Sequence, residues 1–259
     1  MHIQSASALD GTSVQPTYEG PILLERVLRT GIAPLDGLTG GFRSAHVTLI
    51  DSDNAYASDL LHQLCVRAVD EFDEEVVWVD GGNAVDPYKL AAICKRLRLD
   101  RREVLPMVNI SRAFTAYQFV SLIEERLEAE VDRSAAGTVI VSSATDLFMD
   151  RDMRWMESYQ LLRRCADVIS RVTRDRETVT LMTSHTPGRA CPDHRMTALL
   201  HGSADAVVQV RTRRDGMVFR LPREGRSLLF SPTPWNQATL DEFRGDMHGK
   251  DGADLPIGP

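Results

Sequence analysis

Ala45–Val69, reading AHVTLIDSDNAYASDLLHQLCVRAV, decides the fold. Its first six residues are a short apolar, β-branched run of the kind buried on both faces of a sheet. After a polar loop, LLHQLCVRAV repeats its apolar residues at helical spacing. Strand, polar turn and helix in that order open a strand–helix–strand unit, whose next strand joins a parallel sheet.

The pattern continues outward from this stretch. Glu75–Asp80 (EVVWVD) is a second buried strand ending at an acid, followed by the turn Gly81-Gly82-Asn83. Asp86 and Pro87 then cap and start a helix over DPYKLAAICKRLRL. Met107–Ile110 reads as a third strand. Thr115–Val131 reads as a helix, with Tyr117, Val120, Leu122 and Leu127 on its apolar side. Thr138–Ser142 (TVIVS) and Thr178–Thr183 (TVTLMT) are further buried strands. Between them Arg154–Val172 forms a long helix carrying Leu161, Leu162, Val168, Ile169 and Val172. The last part differs: Ala206–Thr212, the Asp215-Gly216 turn and Met217–Leu221 predict a hairpin, with Leu228–Phe230 as an added edge strand. The fold class is α/β, a mostly parallel central sheet with helices on both faces and a C-terminal antiparallel hairpin.

The bulk properties bound the function. At 259 residues and 43% apolar, the chain suits one sizeable packed domain, placed at residues 20–235. Residues 1–19 read as a disordered arm and 236–259 as a flexible tail. No run approaches the roughly 20 apolar residues that span a bilayer. The first residues lack the basic start and apolar stretch of a secretory signal, so no membrane partner is expected and a cytoplasmic setting is. Cys65, Cys94 and Cys165 read as helix core residues and, with Cys191, form no CxxC pair. A net charge of −7 argues against wholesale polyanion binding but leaves room for a local basic face. Lysine occurs only at Lys89, Lys95 and Lys250, so the basic residues are nearly all arginine.

LRTGIAPLDGLTGG at residues 28–41, followed by HVTLI, resembles the opening of the RecA/RadA/Rad51-like ATPase core. Trp78–Leu127 is similar to archaeal RadA-related proteins in wording as well as layout. TVIVSSATDLF stands where that family carries its Walker B strand, LMTSH at the following strand, and ADAVVQVRTRRDG at the C-terminal hairpin. The resemblance runs from about Gly31 to Phe230 and implies a RecA-like P-loop NTPase core.

The departures from the family fall on its chemistry. A Walker A loop needs G-x-x-x-x-G-K-[ST]: glycines to wrap phosphate, a lysine for its outer oxygens and a hydroxyl for magnesium. Here the stretch is Asp51, Ser52, Asp53, Asn54, Ala55, Tyr56, Ala57 and Ser58. Aligned with the family, Asp51 and Tyr56 replace the glycines, Ala57 the lysine, and Ser58 keeps the hydroxyl. Asp51, Asp53 and Asp59 add negative charge beside a site meant for a polyanion. Ser142 stands at the Walker B aspartate. Asp80 survives, and Gly81, Gly82 and Asn83 occupy the place of the family's catalytic glutamate. Asp80, Ser142 and His185 are therefore read as a vestigial site. Asp146 reads as a cap or surface acid, although Asp80, Asp146 and Ser184 or His185 could gather into a substitute site.

His185, Cys191, His194 and His201 fall in a segment that reads as flexible and lack the paired spacing of a zinc centre, so no metal and no cofactor are expected. Pro187–Thr197 matches the region through which related recombinases contact DNA. Arg189 and Arg195, with Arg211, Arg213 and Arg214 on the hairpin, are the candidate DNA contacts. The expected function is a non-catalytic RecA/RadA-like accessory protein of recombination or repair, a pseudo-ATPase partnered by a RadA/RecA-type ATPase. The alternatives are a RecA-fold regulatory interaction protein without DNA binding, and an enzyme with unorthodox nucleotide use.

Overall fold

A computed structural model of the chain describes residues 26–150, 152–185 and 194–231. The expected arm 1–19 and tail 236–259, together with Arg189 and Cys191, lie outside the described residues. β1 (Val27–Leu28) and β2 (Phe42–Arg43) pair antiparallel around α1 (Ala33–Thr39). The Asp36 carboxylate ties this entrance together, accepting from the Thr30 N–H and hydroxyl and from the Gly31 N–H. Gly40 ends the helix at φ 72°, and at Gly41 (φ 89°) a Cβ would stand 2.4 Å from the Val27 side chain. Asp36, Gly40 and Gly41 of LDGLTGG thus serve this one turn.

The main sheet starts at β3 (His46–Ser52), which feeds α2 (Tyr56–Phe72), β4 (Val76–Asp80), α3 (Pro87–Arg96) and a one-turn α4 (Arg101–Val104). β5 (Val108–Arg112) leads into α5 (Ala116–Ser121), a π-helical turn at Leu122–Arg126, α6 (Leu127–Ser134) and β6 (Thr138–Ser142). α7 (Trp155–Asp175), β7 (Val179–Thr183) and α8 (His194–Ser203) follow, and β8 (Ala206–Arg213), β9 (Gly216–Leu221) and β10 (Arg226–Phe230) complete the sheet. The strand order is β10-β9-β8-β3-β7-β6-β4-β5, parallel from β8 to β5 and antiparallel across β8-β9-β10. This is the α/β architecture with an antiparallel flank that the sequence patterning predicts.

Alternation along each strand builds the two cores. In β4, Val76 and Trp78 face the cluster formed with Leu60, Leu64 and Ile93, while Val77 and Val79 face Phe119, Ile123 and Leu162. Each fully buried leucine in these layers contributes about 1.5–3 kcal/mol. Cys65, Cys94 and Cys165 are buried as expected, and burial pushes the Cys165 thiol up to about 12.

Four expectations need correction. The Thr115–Val131 helix is three segments running on to Ser134, and Tyr117 is 58% exposed, its hydroxyl donating to Glu157 rather than joining the core. The third strand begins one residue later than Met107 and extends to Arg112. His194–His201, read as part of a flexible segment, lies in α8, where Met196 and Leu200 are buried. The β3 strand does not stop at Ile50. Asp51 and Ser52 continue it in register with Gln209 and Val210 of β8, which leaves only Asp53–Ala55 as the turn.

Candidate functional site

In open parallel sheets, sites form beyond the carboxyl ends of the strands, where the loops gather. Here β3, β4, β6 and β7 deliver Ser52, Asp80, Ser142 and Thr183 to that edge.

The β3–α2 corner is stitched to the hairpin. Arg211 of β8 donates through Nη2 to Asp51 Oδ2 at 2.6 Å and through Nη1 to the Asp51 carbonyl at 2.7 Å. His201 of α8 approaches the same carboxylate at 3.2 Å. Burial alone would raise the Asp51 pKa, but the hydrogen bonds and charges of His201 and Arg211 outweigh it and hold it at about 2. Asp53 accepts from the Thr212 N–H at 3.0 Å and from its hydroxyl at 3.0 Å. Asn54 turns inward: its Oδ1 accepts from the Tyr56 N–H at 2.9 Å, and its Nδ2 donates to Thr212 at 2.9 Å. The Ser52 hydroxyl donates to the Asn54 carbonyl, and Lys89 reaches Asp59 at 2.5 Å. The acids that made this loop look hostile to phosphate are each partnered within the protein.

Helix α2 is held by a second tie. His62 is fully buried, edge-on to Trp78 with ring centroids 5.0 Å apart. Its Nε2 accepts from the Asp86 N–H at 2.9 Å, so Nδ1 carries the proton and donates to the Ser58 carbonyl at 2.6 Å. Burial lowers its pKa, only partly offset by the Ser58 bond. One neutral imidazole thereby joins the start of α2 to the cap of α3.

At the β4 end, Asp80 is fully buried and accepts from the N–H groups of Gly82 (3.2 Å), Ala84 (2.9 Å) and Val85 (3.2 Å). The Ser142 hydroxyl donates to it at 2.8 Å and in turn accepts from the Trp78 indole at 2.9 Å. Arg112 closes the cluster at 3.0 Å. Burial raises the Asp80 pKa, but these donors outweigh it, so the net shift is downward. Gly81 sits in a tight place: a Cβ there would lie 3.0 Å from the Ser143 carbonyl and 3.2 Å from the Phe119 ring, so its neighbours would have to give way. Asp80 and Ser142 thus come together, whereas His185 pairs its Nδ1 with the neighbouring Ser184 hydroxyl at 3.0 Å.

These residues do not fit a nucleoside triphosphate with magnesium. A phosphate-binding turn presents unpaired N–H groups and a cation. Here Asn54 caps the Tyr56 N–H, Arg211 is spent on Asp51, and the Asp80 carboxylate is saturated by protein donors. Of the candidate DNA arginines, four lie among the described residues. Arg211 is committed to Asp51, Arg195 lies 4.0 Å over the Trp155 ring, and Arg213 and Arg214 are exposed at the hairpin tip. His62, Trp78, Arg112 and Thr212 were not singled out as site residues from the sequence, and His201 was weighed only as a zinc ligand. Each has a partner 24 or more positions away, and only the buried-strand setting of Trp78 left any local signal.

The parallel sheet and the loop-bearing corner after its central strand define a RecA-like α/β protein. A Rad51 family model matches residues 25–175, and the chain belongs to the Rad51 family. It is accordingly a RecA-like protein related to recombination and repair, and members of this family commonly interact with other proteins and with DNA. No curated protein matches the chain. No described helix is long and apolar enough to cross a membrane.

Proposed function

We propose that the chain is a non-catalytic accessory protein of recombination or repair, a pseudo-ATPase working in the cytoplasm through contacts with a RadA/RecA-type ATPase. The observation that supports this reading is the Asn54–Tyr56 cap beside the Asp51–Arg211 pair. Together they replace a phosphate cradle with a joint between β3, α2 and β8. The position of the family's lysine holds Ala57, which is buried. Calorimetry with MgATP, coupled to a phosphate-release assay, tests the proposal. The expected result is neither binding heat nor turnover. Tight MgATP binding that disappears in Ser58→Ala would overturn it.

The commitment of Arg211 to Asp51 favours a second reading, a regulatory interaction protein of the same fold without DNA binding. Titration with single-stranded oligonucleotide at several salt concentrations separates the two. A DNA role gives affinity that falls steeply as salt rises, and the second reading gives no binding even at about 0.05 M salt.

A further inference from the structure

The antiparallel flank turns its two faces to different surroundings. Residues directly opposite each other on paired strands share a face. Val210, Phe219 and Leu228 form one such row and Thr212, Met217 and Phe230 another, and their apolar members pack in the core cluster that holds α2. The alternate rows are Gln209, Arg220 and Ser227, then Arg211, Val218 and Leu229, with Arg213 beyond them. On this second face Val207 packs in the core with Met196 and Leu200 of α8. Further out, Arg213, Arg220 and Ser227 are exposed and Leu229 is 52% exposed. Half-buried Val218 stands beside Leu229, and neither belongs to a core cluster.

Charge selects the occupant. The ionisable residues of these alternate rows are all arginines. Arg211 is committed to Asp51, whereas Arg213 and Arg220 form no ion pair among the described residues. The flank's aromatic rings, Phe219 and Phe230, meet edge-on at 5.9 Å on the opposite face, so no π-face is offered here for a base to stack on. What remains is an aliphatic pair between cations, which suits an acidic segment carrying apolar side chains. The chain supplies one. Residues 240–247 read LDEFRGDM, in which Leu240, Phe243 and Met247 interleave with Asp241, Glu242 and Asp246, and Arg244 is the single base. The nine steps from Ser231 to Leu240 can span about 30 Å, while β10 and β8 lie only about 10 Å apart across β9. Tethering gives such a segment an effective concentration on the order of millimolar, ahead of an untethered competitor.

We propose that residues 240–247 dock on this face of their own chain, with apolar side chains on Val218 and Leu229 and carboxylates on Arg213 and Arg220. The inference goes beyond the functional reading above and does not depend on whether the chain uses nucleotide. The test places a photoreactive benzoylphenylalanine at Ser227 of the full chain, an exposed position in the row of Arg220. After irradiation, peptide mapping is expected to find a cross-link to residues 240–247 within a single chain. Raising the salt concentration should lower its yield, because exposed charge pairs are screened. Arg220→Glu, also at an exposed position, is expected to cut the yield about tenfold, and adding Asp241→Arg and Glu242→Arg to restore it. Restoration by reversed charges separates docking from a structural role of Arg220. If Arg220→Glu loses its circular dichroism signature, Arg213→Glu carries the same test. Cross-links confined to residues outside 240–247, or cross-links that join two chains, overturn the proposal. So does a yield that neither salt nor the arginine substitution changes.

Discussion

The Arg211 guanidinium grips Asp51 at two points, its carboxylate at 2.6 Å and its carbonyl at 2.7 Å, across the boundary between β8 and β3. The carboxylate is buried and the guanidinium about a third exposed. Removing one member of such a pair strands the other charge, a larger loss than the pair's own net worth.

Arg211→Met is therefore expected to cost about 2–4 kcal/mol of unfolding free energy. The lower part of that range applies because the arginine is partly solvated and His201 still faces Asp51. Adding Asp51→Asn in the same chain should return more than half of the loss. Urea unfolding of both single variants and the double variant completes the cycle. Additive effects would mean the contact has no energetic weight.

Rebuilding the family's motifs is expected to destabilise this chain rather than activate it. Ala57→Lys places an ammonium where the present side chain is buried, at a cost of about 3 kcal/mol or more. Ser142→Asp sets a second carboxylate within hydrogen-bond reach of Asp80 and strips the Trp78 indole of its hydroxyl acceptor. Differential scanning calorimetry should show a lower Tm for each variant, and MgATP should not restore it.

Gly81 tests the glutamate position by sterics alone. The nearest obstacles to a Cβ are two backbone carbonyls, Ser143 and Ser142, and the buried Phe119 ring, none of which is a flexible chain end. Gly81→Ala should cost about 1–3 kcal/mol and Gly81→Glu more, read as shifts in urea midpoint at constant slope. A neutral Gly81→Glu would show that this turn opens readily.

Acid should loosen the α2–α3 tie first. The folded-state pKa of His62 lies below its unfolded value, so its stabilising contribution is complete above about pH 6.5 and is lost as pH falls through the folded value. Asp51 and Asp80 have the same sign in a lower window: their contribution is present above about pH 4 and disappears as the carboxylates protonate, for Asp51 near 2. Protonating His62 forfeits its bond from the Asp86 N–H, in a setting where Asp59 and Asp86 favour the charge and Lys89 opposes it. Urea midpoints measured between about pH 7 and 5 should fall in the native chain. His62→Gln, which can both donate and accept, should flatten that slope. An unchanged slope in the variant would remove His62 from the account.

The cores show why some elements were legible in the sequence and others were not. HVTLI, VVWVD, TVIVS and TVTLMT announce strands covered on both faces because burial on both sides demands continuous apolar runs, and each is a strand of the central sheet. Asp86-Pro87 announces α3 because a cap is a local bond, and Asp86 does accept from the Tyr88 and Lys89 N–H groups. Thr115–Val131 was recognisable as helical, but its π-turn and the outward Tyr117 were not. The bond from Tyr117 to Glu157 spans forty positions.

For the corner after β3, the sequence alone determined what is missing: no glycine and no lysine stand between Asp51 and Ser58, and composition suffices to state that. It could not determine what fills the space. Read in isolation, Asp51, Asp53 and Asp59 are a repulsive acidic turn. Only the tertiary structure, by laying β8 beside β3 and α3 beside α2, supplies Arg211, Thr212 and Lys89 as their partners. A charge's energy depends on what lies within a few ångströms of it, and proximity across a sheet is set by strand order, which local sequence does not encode.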